Sequence, residues 1–135
     1  MKIVSAKNEK RTIVVVFIMS LLFNLKHISL HAFLHDWDER FHALVAKHLA
    51  ENMLLPLLYS GSPVAVCDHS SWVCNTVWLH KQPLFLWQMA LSIKVFGATE
   101  WAVRFPSALM LSLLVFPVFR IGKLMFNSQT GLLAA

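Results

Sequence analysis

Two apolar blocks of near-membrane length set the terms for what this chain can become. The first starts at Thr12 and runs through Ile13-Val14-Val15-Val16-Phe17-Ile18-Met19 and Leu21-Leu22-Phe23 to Leu25, Ile28 and Leu30. It spans about 19 residues, close to the length a helix needs to cross a bilayer. The second runs from Phe105 to Phe119, bracketed by Arg104 and Arg120, with Trp101 and Lys123 just outside. Hydrophobic residues make up 57% of the chain and charged ones only 14%, where soluble domains carry about 25% charge. Because the apolar excess comes in blocks, the expected solvent is lipid. The expected fold class is all-α: a polytopic membrane protein with two to three transmembrane helices.

Charge orients the blocks. Lys2, Lys7, Lys10 and Arg11 precede the first block, the flank expected on the cytoplasmic side of a first span. Residues 1–11 are therefore expected as a cytoplasmic tail and 12–31 as the first transmembrane helix. Lys26 can snorkel at its outer end. No small-x-small cleavage site follows, which favours an uncleaved anchor over a signal peptide. Three acids then fall within Asp36-Trp37-Asp38-Glu39. They cannot sit in hydrocarbon, so residues 32–100 are expected as a large extracytoplasmic loop.

That loop carries two helical patterns. Phe41, Leu44, Val45, Leu49 and Met53 fall near one face of a helix at about 39–54, a pattern suited to lying along the interface. Pro56, Gly61 and Pro63 punctuate a loop at 56–80. Pro83 can open a helix that Gly97 ends. At about 21 Å it is too short for a full span, so 83–96 is expected as interfacial or short and partly buried. Residues 101–124 make the second span, running inward to leave Arg120 and Lys123 cytoplasmic. Residues 130–135 read as the start of a further helix, truncated. The formal charge of +5 does not indicate nucleic acid, because the basic residues are scattered. Cys67 and Cys74, six residues apart in spacer, cannot form a zinc site alone; a disulfide is open if they lie outside the cytoplasm.

Three constellations could carry chemistry. Asp36 followed by Glu39 is a capping-box-like helix start. Capping and catalysis are compatible there, since a helix N-terminus favours an ionised acid. Lys81, in His80-Lys81-Gln82-Pro83, is either a snorkelling interfacial lysine or a mobile positive charge suited to a phosphate. His27, His31 and His35 recur every four residues and would share a helix face. His31 and His35 are weak metal candidates, with Asp38 as a third ligand in a sensor reading, but no His-Glu-x-x-His accompanies them. No phosphate-cradling glycine loop and no nucleophile elbow is present in the sequence.

Taken in order, four stretches resemble one family. Asp38-Glu39-Arg40-Phe41-His42-Ala43-Leu44-Val45-Ala46 is similar to Asp-Glu-x-x-Tyr-x-x-x-Ala, with the aromatic shifted or replaced. Pro56-Leu57-Leu58-Tyr59 follows. Lys81-Gln82-Pro83-Leu84-Phe85-Leu86-Trp87 is similar to Lys-Pro-Pro-Leu-x-x-Trp, with Gln82 in place of the first proline. Phe96-Gly97-Ala98-Thr99-Glu100-Trp101-Ala102-Val103-Arg104-Phe105-Pro106-Ser107 resembles Phe-Gly-x-x-Glu-x-x-x-Arg-x-Pro-Ser. These are the marks of polytopic GT-C glycosyltransferases related to the dolichyl-phosphate-mannose protein mannosyltransferases and to the bacterial aminoarabinose–lipid A transferases.

The resemblance implies the N-terminal part of a membrane glycosyltransferase in a bacterial inner (cell) membrane. Such an enzyme moves a sugar from a polyprenyl-phosphate donor to a glycan, lipid or protein hydroxyl, with inversion. It implies Asp38 and Glu39 as catalytic, and Lys81 with Arg40 on the donor phosphate. It requires no cofactor with certainty and leaves room for a divalent metal. Arg104 is expected to anchor the span at the interface. A piece of this length alone is expected to be inactive. The alternative is a small non-enzymatic membrane anchor or partner protein with an acidic, histidine-rich outer loop.

Overall fold

The structure is a computed structural model, and it describes residues 6–30, 32–61 and 74–135. Six helices order the described chain: α1 (Ala6–Ser29), α2 (Asp38–Glu51), α3 (Pro83–Phe96), α4 (Glu100–Leu113), α5 (Val115–Met125) and α6 (Ser128–Ala134). Among the described residues, extended pairing is confined to one isolated antiparallel bridge, Leu57 with Val77. The fold is all-α. Two stretches, Asn8–Ser29 and Glu100–Met125, are long and apolar enough to cross a membrane.

The chain divides into two units. The first comprises residues 1–30 and 107–135. Here α1 begins at Ala6, well before the apolar block at Thr12 where the sequence places its start. The polar turn is held as helix because Glu9, an acid in the favourable first turn, accepts a hydrogen bond from Lys123 Nζ of α5. Further along, Phe17 meets Phe116 with ring centroids 5.2 Å apart. Asn24 Nδ2 donates to Ser112 Oγ at 3.0 Å, a polar link of the kind that joins helices in lipid. The helical ladder is interrupted at Leu114, whose N–H is shared between Met110 O and Leu111 O. Pro117 supplies the reason: it has no N–H to offer the carbonyl of Leu113. Asn127 then caps α6, its Oδ1 accepting from Thr130 N at 2.9 Å. The α5–α6 crossing is tight because it is glycine on glycine. A Cβ on Gly122 would lie 2.8 Å from Gly131 Cα, and one on Gly131 would lie 2.6 Å from Phe119 O.

The second unit, residues 31–106, is built around α2 and α3. Val45, Ala46 and Leu49 of α2 and Leu86, Met89 and Ala90 of α3 form its core, with Leu58 and Trp78 closing one side. Alanines at the crossing let the two helices approach closely. The connection after α2 returns under control of backbone bonds: Leu58 N donates to Thr76 O at 2.8 Å and Trp78 N to Pro56 O at 2.9 Å. His48 Nδ1 lies 2.9 Å from Leu57 O, and Trp87 Nε1 donates to Met53 O at 2.8 Å. These bonds bury Trp78 and so fix the start of the segment that carries Lys81. α3 ends at Gly97, whose φ of 85° is the left-handed region glycine tolerates. The outer face of α3 leaves Leu84, Leu91 and Val95 largely exposed.

Candidate functional site

The acidic stretch sits at the start of α2, but not as a capping box. The helix begins at Asp38 and its N-cap is Trp37, whose side chain makes no capping bond. Trp37 has φ 68° and ψ −113°, a conformation costly for a residue with a Cβ. Asp36 pairs instead with Arg40, Nη2 to Oδ1 2.7 Å. Glu39 does reach back, but to the N–H of His35 rather than of Asp36, at 2.6 Å. The reciprocal pair expected from the Asp36–Glu39 spacing is thereby shifted by one residue and halved.

The reason lies 65 residues away. Arg104, on α4, takes the Glu39 carboxylate in its fork: Nε to Oε1 at 2.6 Å and Nη2 to Oε2 at 3.0 Å. The same Nη2 donates to Phe33 O at 2.8 Å. The two side chains are only 20% and 11% exposed. The hydrogen bond from Arg104 holds the Glu39 carboxyl below the usual carboxylate range, with the His35 N–H assisting and burial opposing. Bidentate charge-assisted pairing of this kind fixes orientation as well as charge. Arg104, expected as an interface anchor, therefore fastens the segment 33–35 and the head of α2 to α4.

Asp38 is the complement of Glu39. Its side chain is 76% exposed, and its Oδ2 lies 3.9 Å from Lys81 Nζ, itself 44% exposed. The structure thus brings Asp38 and Lys81 together across the α2–α3 packing. It does not bring Arg40 to them. Arg40 follows Asp38 by two residues, about 200° round the helix, and its partner is Asp36.

Below Asp38, one turn along the same face, stands His42. Its ring meets Trp78 and Phe85 edge-on, each at 5.4 Å between centroids. Its Nε2 is buried and has no hydrogen-bond partner among the described residues. Burial pushes the imidazole below its ordinary value; the Asp38 carboxylate works against that and Lys81 works with it. Phe41, by contrast, faces Trp37 at 5.9 Å. The ring that packs under the acid is thus His42. Sequence reasoning gave His42 no role and gave Arg104 a different one, that of an interface anchor. An arginine at the edge of an apolar span was the available signal for the second, since such a residue needs a counter-ion.

His31 lies outside the described residues, and so does Cys67; Cys74 is disulfide-bonded. Among the described residues no three His, Cys, Asp or Glu side chains cluster closely enough to hold a metal ion. His35 contributes its backbone N–H to Glu39.

An exposed acid beside an exposed ammonium can take a proton from a hydroxyl and stabilise a neighbouring oxyanion. Residues 80–135, from His80 through Lys81 and Arg104 to the last residue, match the family described as dolichyl-phosphate-mannose-protein mannosyltransferase. No curated protein and no solved structure matches the chain. With two helices of spanning length, the chain is an integral membrane protein whose residues 80–135 are similar to the dolichyl-phosphate-mannose-protein mannosyltransferase family.

Proposed function

We propose that this chain carries the catalytic acid of a membrane glycosyltransferase that takes its sugar from a polyprenyl-phosphate donor. The observation that carries the proposal is the Asp38–Lys81 pair: an exposed carboxylate at the head of α2, 3.9 Å from an ammonium that lies within the family-matching segment. Asp38 is the general base. It accepts the proton of an acceptor hydroxyl, on a lipid, glycan or protein, as that oxygen forms its bond to the anomeric carbon. The bond from that carbon to the phosphate oxygen breaks, and the lipid phosphate leaves with the electron pair. One displacement gives inversion. Lys81 stabilises the charge that develops on the departing phosphate.

Glu39 takes a positioning role. Both of its oxygens are engaged by Arg104 and one also by His35 N–H, which leaves it poorly placed to hold a metal or acceptor and well placed to fix the helix start that presents Asp38. Arg40 is left out of the donor phosphate site, since it faces away. The reaction belongs on the non-cytoplasmic face of a bacterial cell membrane, with the N-terminus inside; the basic flank of the first span supports that orientation.

The test is Asp38→Asn in cells expressing the protein from its native reading frame, with insertion followed by membrane fractionation. Transfer is expected to fall by about 10²–10⁴ with insertion unchanged. In the same cells Lys81→Ala is expected to raise the donor concentration needed for half-maximal transfer. Normal turnover by Asp38→Asn would overturn the assignment.

A further inference from the structure

On the side of α2 away from Asp38, within residues 31–106, lies a cavity of about 280 Å³ that α2 shares with the end of α3 and the head of α4. Arg40 and Lys47 stand on its α2 wall, seven residues apart and so about two turns up one face. Glu100 comes from the first turn of α4. Leu44, Ile93 and Val103 contribute apolar surface, and Ile93 and Val103 belong to the buried core. The cavity therefore combines an apolar floor with two cations and one carboxylate. That combination is wrong for a free inorganic anion, which has no use for the floor. It is equally wrong for a hydrocarbon chain alone, which has no use for the charges.

We propose that this cavity is a lipid-headgroup site, taking a membrane phospholipid whose headgroup carries both a phosphate and a primary ammonium. The phosphate lies between Arg40 and Lys47, the ammonium meets Glu100, and the start of an acyl chain covers Leu44, Ile93 and Val103. Charge complementarity selects this occupant over a purely anionic one, because a headgroup without the ammonium leaves Glu100 facing a second negative charge. Arginine's planar fork suits a phosphate. Its present partner is easily exchanged: the Arg40 and Asp36 side chains are 62% and 81% exposed, and exposed pairs hold weakly. The site is separate from the Asp38–Lys81 pair and does not rest on the proposed transfer reaction.

The protein purified in detergent is mixed with dioleoyl phosphatidylethanolamine or dioleoyl phosphatidylglycerol, and bound lipid is counted by native mass spectrometry. Phosphatidylethanolamine is expected to be retained about fivefold or more over phosphatidylglycerol. The double variant Arg40→Gln/Lys47→Gln is expected to lose about tenfold in retention, with its helical circular dichroism unchanged. Glu100→Gln is expected to bring the two lipids to near-equal retention. Asp38→Asn is expected to bind phosphatidylethanolamine as wild type does, which keeps this site's failure distinct from that of the transfer reaction. Equal retention of the two lipids by wild type, wild-type retention by the double variant, or a preference that survives Glu100→Gln would each overturn the proposal.

Discussion

Breaking the Glu39–Arg104 fork should loosen the unit that holds Asp38 by an amount the geometry lets one work out. The pair has two charge-assisted hydrogen bonds, 2.6 and 3.0 Å long, between side chains 20% and 11% exposed. Removing one member of a fully buried pair costs about 3–5 kcal/mol. Water still reaches a fifth of Glu39, so the expected cost of Glu39→Gln is nearer 2 kcal/mol. Arg104→Gln should cost about 1 kcal/mol more, because the bond to Phe33 O goes too. If the fork is the cause, the double variant is not the sum: a coupling of about 1.5 kcal/mol is expected for partners in direct contact. Unfolding in mixed SDS micelles, followed by tryptophan fluorescence, gives the four free energies. The pH dependence supplies a second arm. The Glu39 carboxyl is held below its ordinary value by Arg104. Its contribution is therefore whole above the unfolded glutamate value of about 4.3 and is lost as pH falls through the lower folded value. Glu39→Gln should show no such loss. Additivity within about 0.3 kcal/mol, or an unchanged acid limb in Glu39→Gln, would refute the reasoning.

Two further outcomes follow from single side chains. Burial lowers the pKa of the His42 imidazole, so wild-type stability should decline as pH falls below the ordinary histidine value of about 6.5 towards the lower folded value. His42→Phe should flatten that decline in the same titration, and an unchanged slope would count against the packing described. Gly131→Ala would place a methyl 2.6 Å from Phe119 O and 2.9 Å from Lys123 N. Because these are backbone atoms, a loss of about 1–3 kcal/mol is expected, read as a lowered midpoint in detergent melting; a midpoint equal to wild type would contradict the close α5–α6 approach.

What was legible in the sequence was local. The apolar lengths of the two spans, the Pro83 and Gly97 that coincide with the ends of α3, and an acid pair at a helix start are all written within a few residues of where they act. What was not legible depends on distant partners. The Asp36–Glu39 spacing suggests a capping box, but tertiary pairing with Arg104 recruits Glu39 and moves its backbone bond to His35. The polar turn before Thr12 looks like a tail because Lys123, the partner of Glu9, lies 114 residues on. His42 looks like a surface polar residue until Trp78 and Phe85 close over it. Arg40 is two residues from Asp38 and Lys81 is 43 residues on, yet it is Lys81 that reaches Asp38, because the helix turns Arg40 to another face.

The fork on Glu39 has an electrical consequence for its neighbour. Two adjacent carboxylates with no counter-charge would repel each other and any anion that came near. Here Arg104 cancels Glu39 and Lys81 stands beside Asp38, so the four groups sum to zero. A substrate bearing its own negative charge can approach a locally neutral patch instead of a field that pushes it away.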